Sequence, residues 1–172
     1  GTPLLLFFGF IRKYKGLDIL LKAIKELNDP DVKLLVAGEF YEDAQEYFAL
    51  VKNLGIENQV IFNNEFIPTD AVKDYFSAAD IVIQPYRNAT QSGVTPLAYH
   101  FEKPMIVTNV GGLPDYVPDG LVGLVVEPEP IAIARAIQRF FQIGAEHFIK
   151  NIRVEKQRFS WTSFSRSLIQ LY

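Results

Sequence analysis

A strand–helix–strand pattern in residues 80–114 constrains the fold of this chain more than any other segment. The apolar run DIVIQ at 80–84 leads to a polar turn that ends in Ser92-Gly93, then to a helix-length segment and a second apolar run that closes on Gly111-Gly112. Two strands joined by a helix run parallel in one sheet. The turn after the first strand then presents backbone N–H groups and the positive end of a helix dipole at the carboxyl edge of that sheet, which suits a phosphate.

Strand-sized apolar runs alternate with amphipathic segments along the rest of the chain. We predict strands at 4–8, 33–37, 60–62, 80–84, 104–109 and 120–126, with helices at 17–27, 42–54, 69–79, up to about 101, and 131–143. Residues 145–172 read as one or two terminal helices with a break at 159–161. This alternation predicts a single α/β domain over 1–172, a doubly wound parallel, Rossmann-like sheet with helices on both faces.

The common strand order 3-2-1-4-5-6 brings two distant segments together. Its ligand crevice lies between the first and fourth strands. Gly9 and a basic loop with Arg12, Lys13 and Lys15 follow the first strand, and the Ser92-Gly93 turn follows the fourth. Cations facing free amides would form a diphosphate site, although a solvated basic surface and an ordinary tight turn are the alternatives.

The start of the helix after Gly93 can be predicted from its proline. We expect Thr95 to cap this helix and Pro96 to be its first residue, because the missing N–H of proline costs nothing there.

Composition and motifs exclude several classes of function. A net charge of −3 gives no global sign of nucleic-acid binding, and the absence of cysteine excludes disulfides and thiolate metal sites. No apolar run approaches the length of about 20 residues that a membrane span needs. Neither a G-x-G-x-x-G motif after the first strand nor a P-loop motif occurs, which disfavours NAD, FAD and P-loop nucleotide binding.

Six segments in register resemble the carboxyl-terminal domain of group 1 (family 4) glycosyltransferases. They are FFGFIRKYKGLD at 7–18, VAG at 36–38, FIP at 66–68, AADIVIQP at 78–85, KPMIVTNVGGLP at 103–114 and GLVV at 123–126. The resemblance implies one Rossmann-like half of a GT-B architecture, the donor-binding half, cut from a longer protein whose amino-terminal half binds the acceptor. We expect this half to be inactive alone.

The resemblance also implies a reaction and a set of residues. The family transfers a sugar from a nucleotide-diphospho-sugar with retained configuration and no bound metal, because Arg, Lys and amides stabilise the leaving diphosphate. Lys15 matches the phosphate-contacting lysine, and Arg12 takes the task of an arginine whose place is held by Phe10. These two would be catalytic. The expected donor-binding residues are Gly9, Lys13, Glu39, Phe66, Ile67, Pro68, Gln91, Ser92, Gly93, Val94 and Thr95, although Glu39 could equally cap a helix.

One departure from the family keeps a second function open. The two glutamates of the family, near the donor sugar and at the ribose, align with Ala89 and Leu97. An active enzyme of polysaccharide or glycolipid synthesis, in the cytoplasm or peripheral at the inner face of the membrane, is our first hypothesis. A non-catalytic nucleotide- or sugar-binding scaffold is the alternative. A phospho-acceptor signalling domain is disfavoured because paired acids are missing after the first strand.

Overall fold

Six parallel strands form one twisted sheet at the centre of the molecule. The computed structural model describes residues 1–89 and 92–158. The strands are β1 (Leu4–Phe8), β2 (Lys33–Ala37), β3 (Val60–Asn63), β4 (Ile81–Gln84), β5 (Met105–Thr108) and β6 (Gly123–Val126). Their order is β3-β2-β1-β4-β5-β6, with every neighbouring pair parallel. The predicted doubly wound α/β sheet and its strand order are therefore confirmed.

The helices cover both faces of this sheet. They are α1 (Leu17–Leu27), α2 (Ala44–Leu54), α3 (Val72–Ala78), α4 (Val94–His100), α5 (Leu113–Tyr116), α6 (Pro130–Ile143) and α7 (Ala145–Glu155). Short 3-10 turns span Lys13–Lys15, Thr69–Ala71 and Lys156–Arg158. The predicted terminal helix at 145 is confirmed as α7, whereas the predicted break at 159–161 and the remainder of the chain lie outside the described residues.

Alternation along β1 explains why both faces need cover. Leu5 and Phe7 lie in one core cluster with buried residues of α1, α2 and α6, whereas Leu6 and Phe8 lie in a second cluster with those of α3 and α4. A strand buried on both faces must be apolar throughout, as this one is. The two faces together leave only the edges of the sheet, and the loops there, for polar chemistry.

Helix ends follow local sequence signals. Asp43 caps α2 through a 2.9 Å hydrogen bond that its Oδ1 accepts from Gln45 N–H, and Gly55 ends the helix in a left-handed conformation. Glu39, which could have served as a cap, does not cap α2. Among the helices of residues 1–89 and 92–158, none has the length and apolarity to cross a bilayer.

Candidate functional site: the carboxyl edge between β1 and β4

The basic loop after β1 is a tight turn pressed against the segment after β4. The 3-10 turn Lys13–Lys15 ends at Gly16, whose φ is 70°. A Cβ atom on Gly16 would lie 1.9 Å from the carbonyl oxygen of Pro85, so only glycine allows this approach. The Arg87 N–H donates a 2.6 Å hydrogen bond to the Tyr14 carbonyl, which fixes the contact between the two segments.

Tyr86 joins the basic turn to the turn before α4. Its ring meets the ring of Tyr14 edge to face, with centroids 6.1 Å apart, and its hydroxyl hydrogen-bonds Ser92. Burial is the main cause that raises the pKa of Tyr86 above its usual value, so it remains a neutral phenol. The structure therefore brings the basic turn and Ser92 to the same edge of the sheet, as predicted.

Lys15 is a buried cation with no anion beside it. The residue is 7% exposed, and its Nζ lies 5.7 Å from the centre of the Phe10 ring. Burial, and secondarily repulsion from Arg12, lower the pKa of Lys15 from 10.5 to about 8. Within residues 1–89 and 92–158, no carboxylate pairs with Lys15 and no acceptor bonds its Nζ. An anionic ligand would compensate both the cost of burying the Lys15 charge and its repulsion from Arg12.

Arg12 lies beside Lys15 on an aromatic stack. Phe10 and Tyr41 stack with centroids 4.3 Å apart, and the guanidinium carbon of Arg12 lies 4.8 Å from the centre of the Tyr41 ring. The contact is a cation–π interaction, which leaves the guanidinium N–H groups at the edge of the plane available to a ligand. Arg12 is exposed and, in the described part of the chain, forms no salt bridge.

Lys13 diverges from the other two cations of the loop. It is exposed and, with Tyr14, Arg87 and Asn88, lines a cavity of about 690 Å³ against α1 and α2. Neither Arg12 nor Lys15 lines that cavity. The sequence grouped the three cations together, whereas the 3-10 turn directs Lys13 towards the helices and the other two towards Phe10 and Tyr41.

A buried amide organises the turn before α4. Gln84 Oε1 accepts a 2.5 Å hydrogen bond from the Ser92 hydroxyl and a 3.3 Å bond from the Thr95 hydroxyl. Gln84 Nε2 donates to the Thr95 oxygen at 3.1 Å. Ser92 Oγ also accepts the N–H of Val94 at 3.1 Å. Both hydroxyls are therefore oriented by the end of β4 rather than by solvent.

The predicted start of α4 is wrong by two residues. The helix begins at Val94 with Gly93 as its N-cap, so Thr95 does not cap it and Pro96 is the third helical residue. Proline is tolerated there because the first four N–H groups of a helix have no intrahelical acceptor. The Thr95 hydroxyl bonds Gln84 instead. Helix α4 has seven residues, so its dipole alone makes a weak anion site.

The other predicted donor-binding residues differ in their exposure. Phe66 is 53% exposed and Pro68 is exposed, whereas the side chains of Ile67, Val94 and Thr95 are buried. The last three can offer a ligand their backbone groups only. Glu39 is half-buried at the end of β2, and Gln91 lies outside the described residues.

Gly9 and Gly38 bring the ends of β1 and β2 into backbone contact. A Cβ atom on Gly38 would lie 1.9 Å from the Gly9 carbonyl oxygen, and the Gly9 N–H donates to Ala37 at 3.0 Å. Both glycines are buried, so the absence of a side chain at Gly38 serves the close packing of the two strand ends.

Three residues that the sequence did not single out hold the site together: Gln84, Tyr86 and Arg87. They flank Pro85 directly after β4, so their position at the carboxyl end of a central strand was the available signal. Within the described ranges, no group of three or more His, Asp or Glu side chains could hold a metal ion.

The positions aligned with the two family glutamates carry no carboxylate and have little exposure to solvent. Leu97 is fully buried in the second core cluster, and Ala89 is half-buried with its carbonyl packed against Gly111. A Cβ atom on Gly111 would lie 1.5 Å from that carbonyl oxygen. Neither position offers a hydrogen bond from its side chain.

Comparison with known proteins identifies the family. The family model described as glycosyl transferases group 1 matches residues 1–155. The chain belongs to this family. The expected resemblance is thereby confirmed.

Individual relatives place this domain within longer proteins. D-inositol 3-phosphate glycosyltransferase from Corynebacterium diphtheriae is 28% identical over 181 residues, which cover 99% of this chain and 42% of that protein. A sucrose-phosphate synthase structure from Thermosynechococcus elongatus superimposes with a TM-score of 0.85 at 27% identity, covering 99% of this chain and 44% of that one. This group 1 domain thus spans under half the length of each of these two proteins.

Two further structures share the fold. The carboxyl-terminal domain of a group 1 glycosyl transferase from Francisella tularensis matches with a TM-score of 0.80 at 23% identity, covering 92% of this chain and 86% of that chain. The Anabaena protein HepE, solved in complex with UDP, matches with a TM-score of 0.81 at 21% identity, covering 97% of this chain and 47% of that one. The fold is therefore that of a GT-B carboxyl-terminal domain.

Proposed function

We propose that this chain is the donor-binding half of a retaining glycosyltransferase that uses a nucleotide-diphospho-sugar, without a metal cofactor. The observation that carries the proposal is Lys15, a buried lysine with no anion among the described residues, beside a second cation on Arg12. Two converging cations match the two charges of a diphosphate. The Anabaena protein HepE, which shares this fold, was solved in complex with UDP, which supports a nucleoside diphosphate as the ligand.

The proposed roles follow from position. Lys15 and Arg12 stabilise the negative charge that develops on the diphosphate as the bond to the sugar breaks, and this takes the place of a metal ion. The exposed Phe66 and the backbone after Gly38 face the nucleoside, and Ser92 and Gly93 face the sugar. The acceptor binds mainly to the other half of the protein, so this chain alone does not turn over. Synthesis of a polysaccharide or glycolipid is the proposed role of the whole protein.

Calorimetric titration of the chain with UDP, GDP and ADP tests this proposal. We expect binding of one of them, and the Lys15→Ala variant to bind at least about tenfold more weakly, since a charge-assisted contact contributes about 1.5–3 kcal/mol. Lys25→Ala is the matched control, because Lys25 is an exposed lysine near the far end of α1. Absence of binding up to about 1 mM for all three would refute the proposal.

A non-catalytic binding domain is the second candidate, and one observation favours it. Leu97 is fully buried where the family has a ribose-binding carboxylate, so this chain makes no such contact from that position. The test is incubation of the whole protein with sugar nucleotides and detection of released nucleoside diphosphate. Release that depends on an acceptor, with the product's anomeric configuration retained in its NMR spectrum, supports the enzyme; nucleotide binding without release supports the scaffold.

A further inference from the structure

Arg87 forms several hydrogen bonds to the basic turn and to α1, and no sequence pattern indicated them. Its two terminal nitrogens donate to both carboxylate oxygens of Asp18, at 2.7 and 2.5 Å, and Nη1 also donates to the Lys13 carbonyl at 2.9 Å. Its backbone N–H donates to the Tyr14 carbonyl. One residue therefore binds two successive carbonyls of the turn and the first turn of α1.

These contacts fix the backbone on which Lys15 stands. The Lys13 carbonyl accepts both the Arg87 side chain and the Gly16 N–H, the bond that closes the 3-10 turn at 3.1 Å. A short 3-10 turn has few hydrogen bonds of its own, so external bonds decide its geometry. Within the described chain, no hydrogen bond of the Lys15 side chain holds it in place, so its location depends on the backbone beneath it.

Asp18 makes this attachment specific. Burial raises the pKa of Asp18, but the hydrogen bonds and charge of Arg87 outweigh burial and hold it below its usual value. The pair is a two-pronged guanidinium–carboxylate contact, a geometry that lysine cannot reproduce with a single ammonium. Most of the charge of Arg87 is thereby compensated by Asp18 rather than directed at a ligand.

We propose that Arg87 is a positioning residue, which holds the Lys13–Lys15 turn against the end of β4 so that Lys15 meets the diphosphate. The proposal rests on the proposed function for the identity of the ligand. It differs from a direct role for Arg87 in ligand binding, in which its positive charge, and not its forked geometry, would be required.

Two variants of Arg87 separate geometry from charge. Arg87→Lys keeps the positive charge, but its single ammonium cannot reproduce the forked contact with Asp18 and the bond to the Lys13 carbonyl. Arg87→Met removes both the charge and these hydrogen bonds. Asp18→Asn breaks the forked pair from its other side. In each, lysine side-chain NMR follows the titration of Lys15 without ligand, and calorimetry measures the affinity for UDP.

We expect all three variants to raise the pKa of Lys15 from about 8 towards 10.5, because the freed turn exposes its ammonium to water. The two Arg87 variants should bind UDP about tenfold more weakly than the native chain, the loss expected when one charge-assisted contact is misplaced. Arg153→Met is the matched control. This variant breaks the surface ion pair between Arg153, which lies on α7, and Glu102. It should leave both the Lys15 titration and the UDP affinity unchanged.

The outcomes distinguish this inference from the proposed function. Weaker UDP binding by Arg87→Met alone, with native binding and native Lys15 titration in Arg87→Lys, would overturn the positioning role in favour of direct charge contact. An unchanged Lys15 titration in every variant would overturn it as well. A native chain that binds no nucleotide refutes the proposed function, yet a shifted Lys15 titration in Arg87→Lys would still support the role of Arg87 in holding the turn.

Discussion

Replacing Lys15 by methionine should stabilise the chain while weakening its affinity for a diphosphate at least about tenfold. Methionine keeps the apolar stem of the lysine and removes the buried charge. The shift in the pKa of Lys15 from 10.5 to about 8 corresponds to a cost of about 3 kcal/mol for holding the protonated side chain in the folded state. Loss of the cation–π contact with Phe10 offsets about 0.5–1 kcal/mol of the gain. A net gain of about 2 kcal/mol at pH 7 is therefore expected.

The pH dependence identifies the source of this gain. Below pH 8 Lys15 is protonated in both folded and unfolded chains, so the stability of the native chain is reduced by the full free-energy cost of burying the charged side chain. Between pH 8 and 10.5 the unfolded chain binds more protons than the folded one, so the stability of the native chain rises with pH. The variant lacks this rise. Its advantage should be largest at pH 7 and largely gone by pH 10.5.

Urea denaturation at pH 7, 8.5 and 10 measures the free energies of unfolding. Lys25→Met on the exposed surface of α1 is the control, with an expected change within about 0.5 kcal/mol. A Lys15→Met variant that is no more stable than the native chain at pH 7 would refute the reasoning. So would an advantage of equal size at all three pH values, since it would come from apolar packing and not from the buried charge.

Three further predictions concern the same edge of the sheet. Gly16→Ala should destabilise the chain by at least about 3 kcal/mol in urea, because its Cβ meets the Pro85 carbonyl; Gly55→Ala, with the same φ and open space, should cost only about 1–2 kcal/mol. Gln84→Leu should cost about 1–3 kcal/mol by leaving two hydroxyls without their partner, and native stability would contradict the network. UDP affinity of the native chain should fall as pH rises above about 8 with the loss of the Lys15 proton, whereas a flat calorimetric profile from pH 7 to 10 would exclude that lysine.

The architecture was predictable because each strand is mostly apolar, with a polar residue, where there is one, at an end, and each connection has a helix. β1 is a continuous run of Leu and Phe, and β4 is a run of Ile and Val that ends in Gln84, which is the pattern of strands covered on both faces. Right-handed crossovers then limit the order of the strands. The meeting of the basic loop with the Ser92 turn followed from that order and needed no contact information.

The hydrogen bonds and backbone geometry inside the turns could not be predicted from the sequence. Thr95 looked like a cap because it precedes a proline, but its hydroxyl is taken by Gln84, eleven residues earlier and visible only once β4 and α4 are packed. Likewise, a 3-10 turn separates Lys13 from Arg12 and Lys15, and no local pattern distinguishes that turn from an extended loop. The bonds from Arg87 to Asp18 span 69 residues, so they belong to the tertiary structure alone.

The pairing of β1 with β4 also sets when the site can exist during biosynthesis. Leu5 and Leu6 align with Ile81 and Val82, and the adjacent bond from the Leu4 N–H to Asp80 spans 76 residues. A nascent chain that has left the ribosome only as far as β3 has Arg12 and Lys15, and the Lys13 N–H can bond Glu42, but the bonds from Arg87 to the turn are missing. Contacts so distant in sequence form late. The cleft therefore cannot form before β4 and the segment after it have been made, so a truncated translation product that ends before β4 would have both cations and lack the Arg87 and Ser92 side of the site.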